Sequence, residues 1–144
     1  MSPAAFGGAV YIADTSARAR AAHPAVREEW AAALRSRQIA TCAIRTLDLL
    51  YAARDAEEVG ELEADQATLR DIPVTSSVQR AAIGAVRELI RKGAGYHRVK
   101  LPGALIAAAA QDAGIGVLHY DHHYDRLAEV LNFESRWIAT PGSL

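Results

Sequence analysis

The chain has 144 residues, with 16 Lys and Arg against 17 Asp and Glu, a formal net charge of −1, and one cysteine, Cys42. That length suits one domain with a sizeable core, the near-neutral balance argues against a generally basic nucleic-acid coat, and a lone thiol excludes an internal disulfide framework. The opening MSPAAFGGAV has no basic leader and no long apolar run, and no stretch is long enough to span a bilayer; a cytoplasmic protein without a membrane partner is expected.

Residues 1–8 are expected to form a loose extension to a single domain over 1–144. GAVYIAD then reads as a short buried strand ending at Asp14, and HPAVREEWAAALRSR as a helix with Pro24 in its first turn. QIATCAI is a second strand running into the helix RTLDLLYAARDA, and AEEVGELEADQATL is a polar, surface helix. IPV is a third strand; SSVQRAAIGAVRELIRKG opens with a capping box from Ser76 to Gln79 and closes on Gly93. RVKLPGALIAAAAQDAG is an Ala-rich helix with Pro102 in its first turn and Gly114 just past its end. IGVLHYD gives a strand, HHYDRLAEVL a helix and RWIA a closing edge strand. Strands alternating with helices point to βα units, hence an α/β fold with a central parallel sheet covered on both faces.

In such sheets, sites form beyond the carboxyl ends of the strands. Asp14 and Asp121 both stand there. Either alone reads as the N-cap of the next helix, but two at the ends of different strands point to a site. Asp48 lies among Leu47, Leu49 and Leu50 on a helix expected to be buried, where a carboxylate is costly unless paired, with Arg45 for example, or bound to a cation. Asp125 follows Asp121 by one helical turn and is expected on the same face. Converging carboxylates repel unless neutralised, and oxygen-only clusters suit Mg²⁺ or Mn²⁺, which activate water and brace phosphate oxygens. The residues therefore suggest metal-dependent phosphoryl transfer.

Other chemistries lack their residues. There is no P-loop, no glycine-flanked serine, and Ser16 stands where a dehalogenase-like phosphatase needs a second Asp. His119, His122 and His123 have no zinc-ligand spacing, and the HH pair is expected at the surface or cleft rim. The run RELIRKGAGYHRVK is either a solvated helix end or a phosphate clamp.

Laid out in order, these segments resemble a PIN-domain ribonuclease of the VapC toxin type over nearly the whole chain. YIADTSA resembles the opening strand with the first metal-binding Asp, CAIRTLDLLYAAR the segment with the second acid, here Asp48, and GVLHYDHHYDRLAEV the segment with the fourth. RVKLPGALIAAAAQDAG resembles the stretch that in the family reads Leu-Pro-Asp and supplies the third acid; here Gly103 stands in that place. The resemblance implies a three-layer α/β/α domain and a Mg²⁺- or Mn²⁺-dependent endoribonuclease. Asp14, Asp48 and Asp121 would hold the metal, with Asp125 assisting directly or through water. Thr15 and Ser16 would orient ligands, and Arg18, Arg20, Arg98 and Lys100 would grip RNA phosphates. It implies tRNA or ribosomal RNA as substrate, a cognate VapB-type antitoxin whose tail fills the cleft, and a homodimer.

Gly103 removes one ligand and weakens the helix start, so metal affinity and activity should fall. Two origins fit it: a single-base change that spares an expression host from the toxin, favoured because the other acids are intact, or an inherited change in a member kept for binding. The rival functions are a non-catalytic module that binds antitoxin or RNA, and a small-molecule phosphatase on a similar sheet.

Overall fold

A computed structural model describes residues 5–144. Five parallel strands form the sheet in the order β3-β2-β1-β4-β5: β1 Tyr11–Ala13, β2 Ile39–Cys42, β3 Arg70–Ile72, β4 Gly116–His119 and β5 Ser135–Trp137. Tyr11 pairs with Ile39 on one side and with Gly116 on the other. The strand order reverses between β1 and β4, so their carboxyl ends open a crevice. Close approach needs Gly116: a Cβ there would lie 2.6 Å from the Glu134 carbonyl oxygen and 2.7 Å from the Tyr11 ring.

Side chains alternate across the strands and define two apolar layers. Ile12, Ala40, Cys42, Ile72 and Val117 face α3 (Ala43–Tyr51), α5 (Ser76–Ile90) and α6 (Leu101–Ala113). Tyr11, Ala13, Ile39 and Leu118 face α1 (Thr15–Arg18) and α2 (Arg27–Arg35). With helices on both faces, the three-layer α/β/α expectation holds. Two further helices, α4 (Ala56–Ala67) and α7 (His123–Leu127), flank these layers. Cys42 is buried, a small core residue whose thiol burial pushes up.

Helix α6 forms where expected. Pro102 sits in its first turn, residues 106–110 are buried, and Gly114 ends it in the left-handed region at φ 69°. The Ile115 N–H reaches back to the Ala110 carbonyl at 2.9 Å, satisfying a carbonyl the helix leaves free.

Several boundaries move for local reasons. Helix α2 begins at Arg27, because the preceding residues close into turns: Val26 N–H bonds the His23 carbonyl, and His23 Nδ1 accepts from Ala25 N. Thr75, not Ser76, caps α5 by accepting from Val78 N at 3.2 Å, and the helix stops at Ile90, before Gly93. Helix α3 stops at Tyr51, and Asp55 opens α4 by accepting from Glu58 N. Strand β3 ends before Pro73, which has no N–H for a ladder. Within the expected loose extension over 1–8, Ala5 and Phe6 are packed while Gly7 and Gly8 are exposed. Phe6 is buried, its N–H donates to Glu29, and Gln38 Nε2 donates to the Ala5 carbonyl; residues 1–4 lie outside the described residues. Among the described residues, no helix is long and apolar enough to cross a membrane.

Candidate active site

Asp14 leaves β1 with its N–H on the Leu118 carbonyl at 2.9 Å, which ties the ends of β1 and β4 together. The side chain turns inward and is 1% exposed. Oδ2 accepts from Ser16 N at 3.0 Å, Ser16 Oγ at 2.6 Å and Lys100 Nζ at 2.9 Å, while Oδ1 accepts from Tyr124 Oη at 2.8 Å. Burial alone would raise this carboxyl, but the Ser16 hydroxyl, the Lys100 ammonium and the Ser16 N–H outweigh it and hold the pKa at about 2. Burial, then the Asp14 charge, push the Tyr124 phenol well above its ordinary range, so it remains a donor.

Asp121 faces Asp14 across the crevice. Ser16 Oγ, while donating to Asp14, accepts from Tyr120 N at 2.9 Å and so stitches the two strand ends. Asp121 Oδ1 accepts from His123 N at 2.9 Å, and its Oδ2 lies 3.6 Å from Lys100 Nζ. One ammonium thus bridges both strand-end carboxylates. Lys100 is itself anchored at the start of α6, where its N–H donates to His123 Nδ1 at 2.9 Å and its carbonyl accepts from Gly103 N at 3.0 Å. Gly103 is buried beside Tyr124, and a Cβ would meet the Tyr124 Cζ and Oη at 3.5 Å, ordinary contact. Position 103 therefore lies beside the Tyr124 hydroxyl that bonds Asp14 and has room for a Cβ.

Asp48 is not embedded among leucines. Helix α3 buries one narrow face, Arg45 and Leu49, and leaves Leu47 63% exposed and the Asp48 side chain 44% exposed. Its Oδ2 accepts from the Thr15 hydroxyl and lies 3.5 Å from Arg45 Nη1. Arg45 is the buried partner: it donates to the Ala13 carbonyl and, at 2.8 Å, to Thr15 Oγ1. Burial lowers its pKa while Asp14 and Asp48 oppose the shift. Asp125 departs further. Asp121 precedes α7 rather than lying within it, so helical spacing does not align the two. Asp125 instead turns to β5, accepting from Ser135 Oγ at 3.0 Å and Trp137 Nε1 at 3.1 Å.

Of the basic residues expected at an RNA rim, Arg98 is exposed on the loop before α6. Arg20 lies over the Tyr120 ring at 4.2 Å and donates to the Ser16 carbonyl. Arg18 lines a cavity of about 290 Å³ with Trp30, Leu34, Arg45 and Gln66. Lys100 is inside the site, not on its rim. His122 is exposed, its ring 4.8 Å from Trp137, but His123 is only half-exposed and holds Lys100. His119 is fully buried and stacks on Tyr124; burial lowers its pKa to about 4, so it is neutral at pH 7. Its Nδ1 accepts from Asp121 N, which leaves Nε2–H to donate to Ser135 Oγ at 2.7 Å. Sequence reasoning missed Tyr124, which sits in an ordinary helical apolar phase and gives no signal. Spacing also does not reveal Lys100 as the bridge.

The oxygen-only donors suit a hard divalent cation in kind. In number and occupancy they do not: Asp14 is fully engaged, Lys100 bridges it to Asp121, Thr15 and Arg45 hold Asp48, and Gly103 contributes no ligand. Among the described residues, no three His, Cys, Asp or Glu side chains are gathered closely enough to hold a metal ion. The residues as arranged therefore do not fit a resident Mg²⁺ or Mn²⁺.

No protein-family model matches the chain. Its fold is similar to VapBC of Salmonella typhimurium, solved bound to DNA, with a TM-score of 0.68 and 18% identity over 88% of this chain and 98% of that one. It is also similar to VapBC-5 of Mycobacterium tuberculosis, with a TM-score of 0.61 and 21% identity over 90% of this chain and 98% of that one. The fold is that of the PIN-domain toxins. In sequence, the chain is 38% identical over 136 residues to Ribonuclease VapC18 of M. tuberculosis, covering 94% of this chain and 99% of that protein. To Ribonuclease VapC51 of the same organism it is 33% identical over 134 residues, covering 93% and 96%. The chain belongs to the VapC family, the ribonuclease toxins of VapBC toxin–antitoxin systems.

Proposed function

We propose that this chain is the toxin of a VapBC-type pair: a cytoplasmic endoribonuclease scaffold for divalent-metal-dependent cleavage of tRNA or ribosomal RNA, impaired by Gly103. Family membership supports the reaction class. The observation that carries the impairment is the buried Gly103 beside Tyr124 and Asp14, where a Cβ fits in ordinary contact. An acidic side chain there would add the missing oxygen ligand at the corner that now has too few.

In this reading Asp14, Asp48 and Asp121 are the catalytic carboxylates. Ser16 and Tyr124 orient Asp14, and their donors keep it ionised. Thr15 spans Arg45 and Asp48, placing a hydroxyl where a phosphate oxygen would approach. Asp125 acts from the β5 side by fixing Trp137 rather than as a direct ligand. Arg18, Arg20 and Arg98 supply guanidinium groups to the flanking phosphates, a charge interaction that weakens with salt. A VapB-type antitoxin and a second copy of the chain are the proposed protein partners.

The test is Gly103→Asp, assayed on RNA with Mn²⁺ and with EDTA. The expected result is EDTA-sensitive cleavage at least about 10–100-fold above the Gly103 form, the scale of losses when only a partner of a metal ligand is removed. No metal-dependent gain would overturn the assignment. A second reading, a binding module without catalysis, is favoured by the way Lys100 satisfies the acids in this chain. It predicts that antitoxin capture is retained while Gly103→Asp still cleaves nothing.

A further inference from the structure

The Lys100 ammonium stands where two converging negative charges need a cation. It is 2.9 Å from Asp14 Oδ2 and 3.6 Å from Asp121 Oδ2, so it grips the buried carboxylate closely and the outer one loosely. Its backbone is pinned at the start of α6 by His123, while its side chain is 30% exposed and carries the ammonium on a stem of four rotatable carbons. An ammonium is a compact point charge on a flexible arm, which can leave a site without unfolding it. A divalent ion drawn to the same two oxygens would be repelled by the ammonium and would compete with it for their negative charge. Without some cation, Asp14 would be a nearly fully buried charge opposed by Asp121, an arrangement that disfavours the folded state.

We propose that Lys100 is a tethered counter-cation: it fills the place of a divalent ion between Asp14 and Asp121, and a metal can bind only by driving its side chain out to solvent. Lys100 thus sets the metal affinity of the site and keeps the metal-free protein folded. This inference rests on the reading of the corner as a divalent-ion site, but not on RNA cleavage.

The chain makes one test direct, because Lys92 and Lys100 are its only lysines. Amine acylation of the unaltered protein and of Gly103→Asp, followed by peptide mass spectrometry, reports Lys100 against Lys92 as internal reference. Lys100 should react several-fold more slowly than Lys92 without metal and speed up with Mn²⁺, while Lys92 stays unchanged. A second test is Lys100→Met, which keeps the stem and removes the charge, with Mn²⁺ binding followed by electron paramagnetic resonance and no RNA present. Mn²⁺ should bind about tenfold or more tighter than in the parent, in both the Gly103 and Gly103→Asp backgrounds, a gain of about 1.4 kcal/mol. Lys100→Arg should remain weak. Equal reactivity of the two lysines without metal, or Mn²⁺ binding no tighter after Lys100→Met, overturns the proposal. If Lys100→Met fails to fold without metal, the acylation result on the unaltered chain decides. Tighter Mn²⁺ binding without any RNA cleavage would leave this inference standing and remove the nuclease reading.

Discussion

Asp14 and Asp48 carry the same side chain and belong to the same corner, yet their surroundings are opposite. Asp14 is 1% exposed and takes four donors from Ser16, Tyr124 and Lys100; Asp48 is 44% exposed and has the Thr15 hydroxyl and one guanidinium at 3.5 Å. The inner carboxylate is part of the framework: its charge organises β1, β4, α6 and α7 at once. The outer one is replaceable by solvent, because water can serve most of its lone pairs. In this site, catalytic candidacy and structural duty coincide only at the inner residue.

The largest effect expected from this contrast is at Asp14. Asp14→Ala leaves Lys100 without its close partner and Tyr124 Oη buried without an acceptor, and should cost about 3–5 kcal/mol. Asp48→Ala should cost under about 1 kcal/mol. Thermal unfolding separates them: a fall of roughly 10–20 °C against a few degrees at most. Comparable falls in the two variants would erase the distinction.

Acid titration sharpens it without mutation. His119 has a folded pKa of about 4 against an ordinary 6.5, lowered by burial. The unfolded chain therefore binds more protons between those values, and stability falls as pH drops from about 6.5 towards 4, by about 3 kcal/mol in all. Asp14, with its folded pKa of about 2, adds a second loss as pH falls from about 4 to 2. Denaturant midpoints taken from pH 7 to 3 should show the first loss already by pH 5. A flat profile down to pH 4 would contradict a neutral, buried His119.

Glycines at the start of α6 and at the start of β4 give the smallest pair. Gly116→Ala drives a methyl to 2.6 Å from the Glu134 carbonyl oxygen and 2.7 Å from the Tyr11 ring, and should destabilise by about 1–3 kcal/mol. Gly103→Ala meets only ordinary contact at 3.5 Å and should stabilise by up to about 1 kcal/mol through better helix propensity. Urea midpoints should move in opposite directions.

The fold was readable in the sequence because its signals are local and repeated. VYIA, QIATC and GVLH are short apolar runs, and Pro102 and Gly114 bracket α6. The strand-end rule likewise puts Asp14 and Asp121 just beyond β1 and β4, where they lie. What failed depended on a neighbour or a cap. Helical spacing groups Asp125 with Asp121, but Asp121 lies before α7 begins. Thr75 outcompeted Ser76 for a cap one residue away. The leucine-rich sequence of α3 predicts a buried Asp48, but Leu47 and Asp48 are both exposed. Lys100 reads as one more basic residue in a run, since only the packed sheet reveals that its ammonium ends between two carboxylates from other segments.

The alanine seam of α6 also governs what position 103 can present. Ala107, Ala108, Ala109 and Ala110 leave no accessible surface, so the helix rests on its neighbours through methyl groups and has little freedom to roll or slide. The direction in which residue 103 projects is therefore set by the frame and not by the residue occupying it. Any side chain introduced at 103 would therefore leave the helix along that one fixed direction.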